Sequence, residues 1–291
     1  MLDTTRLDEI IKRCLTEDIG TGDITTLSVV PSGHRSTGHI WAKEAGIVAG
    51  LPVAEAVYRH LDPAVDFQPQ AADGDVIVLG TPLAMVEGPA RSILTGERLA
   101  LNFLQRLSGI ATLASRLVEA VKPYRVRVVD TRKTTPGLRL LEKYAVRMGG
   151  GHNHRFGLYD AVLLKDNHVQ VAGGVARAVT WARQLAPHTM KVEVEVEDLA
   201  GVKEALAAGA DIIMLDNMDL DTMRQAVALI GNKAVIEASG SISLDRIQAV
   251  AATGVHVISV GALTHSAPAL DISLDLGKPK YRPKNKVNRA D

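Results

Sequence analysis

The chain has 291 residues, 46% of them hydrophobic and only 3% aromatic, so one large domain or two modest ones with mainly aliphatic cores are expected. Lys plus Arg equals Asp plus Glu at 33 each, which gives no global pull toward nucleic acid or anionic membrane and makes local charge clusters the informative feature. The single cysteine, Cys14, excludes an intrachain disulfide; no apolar run reaches membrane-spanning length and the N-terminus lacks a signal-peptide pattern, so a soluble cytoplasmic protein is the expectation.

Leu7, Ile10, Ile11, Cys14 and Leu15 fall at helical spacing, with Thr4 or Thr5 as the cap. Residues 18–25, DIGTGDIT, read as turn chemistry. Residues 34–48 and 65–87 read as short strands divided by Gly and Pro, with a helix over Pro52–His60 between them. A long helical region follows over Arg91–Val121, with a break expected at Gly109. Arg98 lies on or beside its apolar face, as a snorkelling arginine or as one held at a subunit interface.

From Val126 the rhythm changes. Apolar runs at Val126–Val129, Ala161–Leu164, Val192–Val196, Asp211–Leu215, Ala234–Ala238 and Val255–Val260 alternate with helical stretches at Pro136–Met148, Val175–Leu185, Leu199–Ala208, Met218–Ile230 and Leu244–Ala252. Such alternation implies a parallel sheet, doubly wound or closed. Asp130 with Arg132 and Lys133, Lys165, Glu195, Asp216, Ser239 and Gly261 each sit at or just past a strand end. Polar residues at the ends of six successive strands favour a (β/α) barrel over an open sheet, whose site would gather at one switch point. From Ala267, the alternation of Leu270, Ile272, Leu274 and Leu276 suggests that the chain rejoins the first domain, and residues 278–291 read as a basic, solvated tail. The expected domains are 1–109 plus 267–291, an α+β sandwich, and 110–266, the α/β barrel.

Cations and histidines concentrate between Asp130 and His168, which would suit a small polyanion held by several positive groups. In Val192–Glu197 the valines face one way and the glutamates the other. Inside a βα array both faces of the sheet are covered, so the glutamates need cations, with Arg132, Lys133, Arg155 and Lys165 as candidates. Lys165 reads either as an aldolase-like Schiff-base nucleophile or as a lysine paired with Glu195. His152, His154 and His168 match no strong zinc spacing, so no protein-held metal set is expected. Ser239-Gly240-Ser241 and Gly261-Ala262, each between a strand and a helix, suggest a phosphate cradle on adjacent strands.

DTRKTTPG, GGGHNHRFGLYDAVLLKDNH, VEVEVED, DIIMLDN and EASGSI, in this order, resemble quinolinate phosphoribosyltransferase, also called carboxylating nicotinate-nucleotide pyrophosphorylase, from about Thr21 to the VGALTHSAPALDISLDL segment. The resemblance implies an incomplete, TIM-like barrel. It also implies transfer of a phosphoribosyl group from 5-phosphoribosyl 1-pyrophosphate to quinolinate with loss of CO2. Lys133, Lys165, Glu195 and Asp216 would be catalytic. Thr131, Arg132, His154 and Arg155 would contact substrate, and Ser239, Gly240, Gly261 and Ala262 would hold the 5-phosphate. Arg98, in Gly96-Glu97-Arg98, would reach into the neighbouring subunit's site, which requires a homodimer or a higher oligomer. Mg2+ would be held mainly through the substrate pyrophosphate, near Glu195 and Asp216. No organic cofactor is expected, because an N-ribosylated pyridinium is itself an electron sink. Two alternatives remain: a sugar-phosphate lyase or isomerase with Lys165 as nucleophile, and a paralogous phosphoribosyltransferase with another acceptor.

Overall fold

A computed structural model describes residues 2–277. In chain order it has α1 (Thr4–Ile19), α2 (Ile24–Val29), β1 (Arg35–Ala42), β2 (Gly46–Ile47), α3 (Leu51–Leu61), β3 (Asp66–Pro69), β4 (Val76–Ile77), β5 (Pro82–Pro89) and α4 (Ala90–Val121). Then follow β6 (Arg127–Val129), α5 (Arg139–Met148), β7 (Val162–Leu164), α6 (Asp166–Ala172), α7 (Val175–Leu185), β8 (Val192–Val196), α8 (Leu199–Ala207), β9 (Ile212–Asp216) and α9 (Leu220–Ile230). The last elements are β10 (Val235–Ser239), α10 (Leu244–Ala251), β11 (Val257–Ser259), α11 (Ala262–His265) and β12 (Ile272–Leu276). The basic tail expected over 278–291 lies outside the described residues.

Two compact units result, one from residues up to Leu113 with Thr135–Gly150 and the chain from Ala267, the other from Ala114–Thr134 and Gly151–Ser266. The first is α+β. Its four-stranded antiparallel sheet runs β12-β1-β5-β3, so the C-terminal strand does rejoin it, with Gly38 opposite Leu276 and Ala42 opposite Ile272. Leu7, Ile10 and Ile11 are buried, as the spacing of α1 requires, but its cap is Asp3, whose carboxylate accepts from the Arg6 N–H at 3.2 Å. A carboxylate is as strong a cap as a threonine and stands one residue earlier. The DIGTGDIT segment is a loop only in part, because Asp23 caps α2 through the Thr26 N–H at 2.9 Å.

No break interrupts α4 at Gly109. A Cβ there would run into the carbonyl of Pro268, so glycine is present for a close backbone approach, and its helix penalty of about 1 kcal/mol is tolerated inside a long helix. Glu142, fully buried on α5, accepts from Arg106 Nη2 at 3.0 Å, from the Thr135 N–H at 3.0 Å and from Thr135 Oγ1 at 2.7 Å.

The second unit is a six-stranded, all-parallel sheet in the order β6-β11-β10-β9-β8-β7. Strands adjacent in sequence are adjacent in space except β6 and β7, which form the two edges, so this is an incomplete TIM-like barrel. Beside β6, His152 forms a single parallel bridge to Val129. Val194, Val196, Ile213, Leu215, Ile236, Ala238 and Ile258 are buried on the outward face of the strands. Each large aliphatic buried this way contributes about 1.5–3 kcal/mol. Among the described residues, no helix is long and apolar enough to cross a membrane.

Candidate active site

Parallel strands alternate inward and outward, and the inward positions converge on one cavity of about 550 Å3. Leu163 and Lys165 on or after β7, Glu195 on β8, Met214 and Asp216 on β9, Glu237 and Ser239 on β10, and Ser259 on β11 all line it. The loop after β6 adds Thr131, Arg132 and Lys133, and the segment before β7 adds His154 and Arg155. Asn217, Gly240 and Ser241 complete the rim.

The glutamates of β8 do turn inward. Glu193 is buried and Glu195 half-buried, while the alternating valines are covered on the other side. Lys165 Nζ donates to Glu195 Oε2 at 3.1 Å, so of the two readings of Lys165 the structure presents the ion pair. The Lys165 backbone N–H donates to His168 Nδ1 at 2.9 Å, which starts α6 directly after the lysine.

Asp130, wholly buried, organises the opposite side. It accepts from the His154 N–H at 2.9 Å and from Asn153 Nδ2 at 2.5 Å, and so sets the course of the chain that carries His154 and Arg155. Arg155 Nη1 donates to the Ala161 carbonyl at 2.8 Å, which aims the guanidinium. Burial first, and the charge of Arg132 second, push the Arg155 pKa down, against the opposing charges of Glu193 and Asp160. Thr264, fully buried, donates from Oγ1 to the Lys133 carbonyl at 2.7 Å and pins that residue from the C-terminal side of the unit.

Two non-glycine residues among those described have positive φ, Asn217 (51°) and Ser241 (48°), and both line the cavity. Gly240 lies between them in space, with φ 96°, and a Cβ there would collide with Asn217. Left-handed backbone at three rim positions is a local strain that such segments carry at binding sites.

Most of the sequence-predicted set is thus brought together: Thr131, Arg132, Lys133, His154, Arg155, Lys165, Glu195, Asp216, Ser239 and Gly240. Gly261 and Ala262 do not line the cavity. Gly261 packs against the Lys133 side chain instead, and α11 is a single turn. Arg98 is exposed on α4, in the other unit. His152 and His168 do not join His154 in a cluster. His154 instead points Nε2 at two buried carboxylates, Glu193 at 3.3 Å and Glu237 at 3.5 Å. Sequence reasoning passed over Glu237, although a lone carboxylate in the apolar run over 234–238 was the available signal.

Residues 23–108 match the family model of the quinolinate phosphoribosyl transferase N-terminal domain, and residues 110–275 match that of its C-terminal domain. The chain is 46% identical over 272 residues to a probable carboxylating nicotinate-nucleotide pyrophosphorylase of Bacillus subtilis, covering 93% of each chain. It is 47% identical over 273 residues to the corresponding probable enzyme of Synechocystis, covering 93% of this chain and 92% of that one. Among solved structures, NadC from Streptococcus pyogenes superposes with a TM-score of 0.91 at 47% identity, over 95% of this chain and 98% of that one. With its two halves matched in turn and its full-length relatives alike in sequence and fold, the chain belongs to the quinolinate phosphoribosyl transferase family.

Proposed function

We propose that the protein joins quinolinate to 5-phosphoribosyl 1-pyrophosphate and releases nicotinate mononucleotide, pyrophosphate and CO2, a step of de novo NAD biosynthesis. One observation carries the reading from the structural side: Arg132, Lys133, Arg155 and Lys165 face a single cavity whose remaining rim is Glu195, Asp216 and the Ser239–Ser241 turn. That layout offers one cationic half for a heterocyclic dianion and one mixed half for a phosphorylated sugar.

Quinolinate carries two adjacent carboxylates. Arg132 and Arg155 supply forked donors that fix its ring orientation as well as its charge, and Lys165 stands at the junction with the sugar. His154 has Nδ1 accepting from the Arg155 N–H at 2.7 Å and Nε2 on the buried acids, so its ring is locked as part of the pocket wall. When the ribosyl–oxygen bond breaks, positive charge develops on the sugar, and the carboxylates of Glu195 and Asp216 would stabilise it. Ser239, Gly240 and Ser241 hold the 5-phosphate through hydroxyl and main-chain donors, with Gly261 packed against the Lys133 side chain.

Mg2+ takes oxygen ligands and commonly binds through one or two carboxylates plus substrate phosphates. Asp216, half-buried with Oδ2 accepting from Asn217 Nδ2 at 2.8 Å, and Glu195, which lines the same cavity, supply oxygen ligands of the kind such an ion takes. Mg2+ held there would add positive charge against the leaving pyrophosphate, beside Lys133. Arg98 completes the quinolinate pocket of a second subunit, which makes the working unit a homodimer. The single cysteine is in keeping with work in the reducing cytoplasm.

The direct test mixes protein, quinolinate, 5-phosphoribosyl 1-pyrophosphate and Mg2+ and follows CO2 release. Nicotinate in place of quinolinate should react at least about 100-fold more slowly, because a monoacid leaves half of the cationic pocket unpaired. Absence of CO2 with quinolinate sinks the reading.

A further inference from the structure

Below the cationic rim lies a carboxyl pair that binding and ribosyl transfer leave without a task. Glu237 is 3% exposed and Glu193 2% exposed, and each has an Oε1 with no hydrogen-bond partner. His154 Nε2 stands 3.3 Å from Glu193 Oε2 and 3.5 Å from Glu237 Oε1, the latter an ion-pair distance without hydrogen-bond geometry. Because His154 Nδ1 accepts the Arg155 N–H, the imidazole proton sits on Nε2, toward the two acids.

What faces Glu237 sets how readily it gives up its proton. Every element packed on Glu237 bears on this: β8 brings Glu193, the loop before β7 brings His154, β9 brings Met214 in register, and β11 brings Val257 in register and Ser259. One cation at most faces two acids. Burial first, and the Glu193 charge second, raise the Glu237 pKa from the ordinary carboxyl range to about 7, against smaller opposing effects of His154 and Ser259. Of the two acids, Glu237 is the one that lines the cavity.

We infer that Glu237 is the general acid of the decarboxylating half of the reaction, donating the proton that replaces the lost carboxylate on the pyridine ring. This rests on the proposed function. When the ring–carboxylate carbon–carbon bond breaks, CO2 leaves and the bonding pair stays on the ring carbon. That carbon takes the Glu237 carboxyl proton, and the O–H electrons stay on the carboxylate. One proton from water restores the acid after product departs. The rim cations are engaged in holding carboxylates and phosphates, whereas Glu237 is a buried carboxyl that lines the same space and holds its proton more tightly than an ordinary carboxyl. His154 acts as a positioning residue, its Nε2–H facing the carboxylate that the transfer creates.

The test uses the full-length protein with quinolinate, 5-phosphoribosyl 1-pyrophosphate and Mg2+. Glu237→Gln keeps size and neutrality but has no transferable proton. It should bind quinolinate and release pyrophosphate in a single turnover, while its kcat for nicotinate mononucleotide falls about 100-fold or more. A kcat within threefold of wild type overturns the inference. Glu193→Gln removes the like charge, so Glu237 loses its proton at lower pH. The alkaline fall of the CO2-forming rate should then move to lower pH, and an unmoved profile overturns the inference even where Glu237→Gln fails to fold. A wild-type protein that yields no CO2 overturns the functional reading itself, which no result with the variants would do.

Discussion

Lys165 Nζ donates to Glu195 Oε2 at 3.1 Å, tying the ends of the neighbouring strands β7 and β8 together at the mouth of the cavity. The amine is half-exposed and the carboxylate nearly buried, at 48% and 12% side-chain exposure, so the pair orients Lys165 toward the ligand space and contributes little to stability. An amine held in this way acts as a hydrogen-bond donor to the carboxylate. Lys165→Ala and Glu195→Ala should each lower kcat/KM about 100-fold or more while shifting Tm by only a few degrees. Borohydride with a sugar-phosphate aldehyde should leave Lys165 unmodified; an adduct there, seen by peptide mass, would restore the lyase alternative.

Arg98 is exposed on α4. If it serves a partner's site, Arg98→Ala protein is inactive yet still binds 5-phosphoribosyl 1-pyrophosphate. Mixed with Lys165→Ala protein under conditions of subunit exchange, it should regain up to about a quarter of wild-type activity, because one of the two sites in a hybrid dimer carries both native residues and hybrids form half of a random mixture. Confirmed exchange without rescue would remove donation in trans.

Gly240 has φ 96° and no room for a Cβ against Asn217. Gly240→Ala should cost about 1–3 kcal/mol of stability from strained backbone and raise KM for the phosphoribosyl donor about tenfold or more, with a smaller effect on quinolinate. Equal KM changes for the two substrates would argue against a 5-phosphate site at this turn.

Glu142 is buried with three donors, two from Thr135 and one from Arg106. Glu142→Ala removes the acceptor that all three share. Since Arg106 is 32% exposed and regains water, the loss should be about 2–3 kcal/mol, below the about 3–5 kcal/mol of a fully buried pair. Urea unfolding measures it, and a change under about 0.5 kcal/mol would contradict the assigned role.

Glu237 also links stability to pH. Its folded pKa is raised, so between the ordinary carboxyl range and about 7 the folded state binds more protons than the unfolded state. Its contribution is therefore full at low pH and is lost as pH rises toward 7. Glu237→Gln should remove that dependence and gain on wild type at pH 8 relative to pH 5, as read by Tm at the two values. An identical slope for both proteins would mean that Glu237 is ionised throughout.

Alternation along the chain was enough to locate the six barrel strands and the rejoining strand β12, because inward and outward positions of a strand are fixed by a period of two. The same rule turns Glu193 and Glu195 to one face, and the ends of the apolar runs place Lys165, Asp216 and Ser239 at strand ends. Other features had no local signature. Gly109 read as a helix break because the chemistry of one residue cannot reveal the Pro268 carbonyl packed against it. The short helix α6 was missed because its seven residues carry no apolar stripe, and Val171 is almost fully exposed. Tertiary structure alone decided that Gly261 packs against the Lys133 side chain, and that His154 points at two buried acids instead of joining a histidine cluster. Residue type and periodicity determine which way a side chain turns, whereas distances between groups far apart in sequence depend on how the strands close around the cavity, which no local pattern encodes.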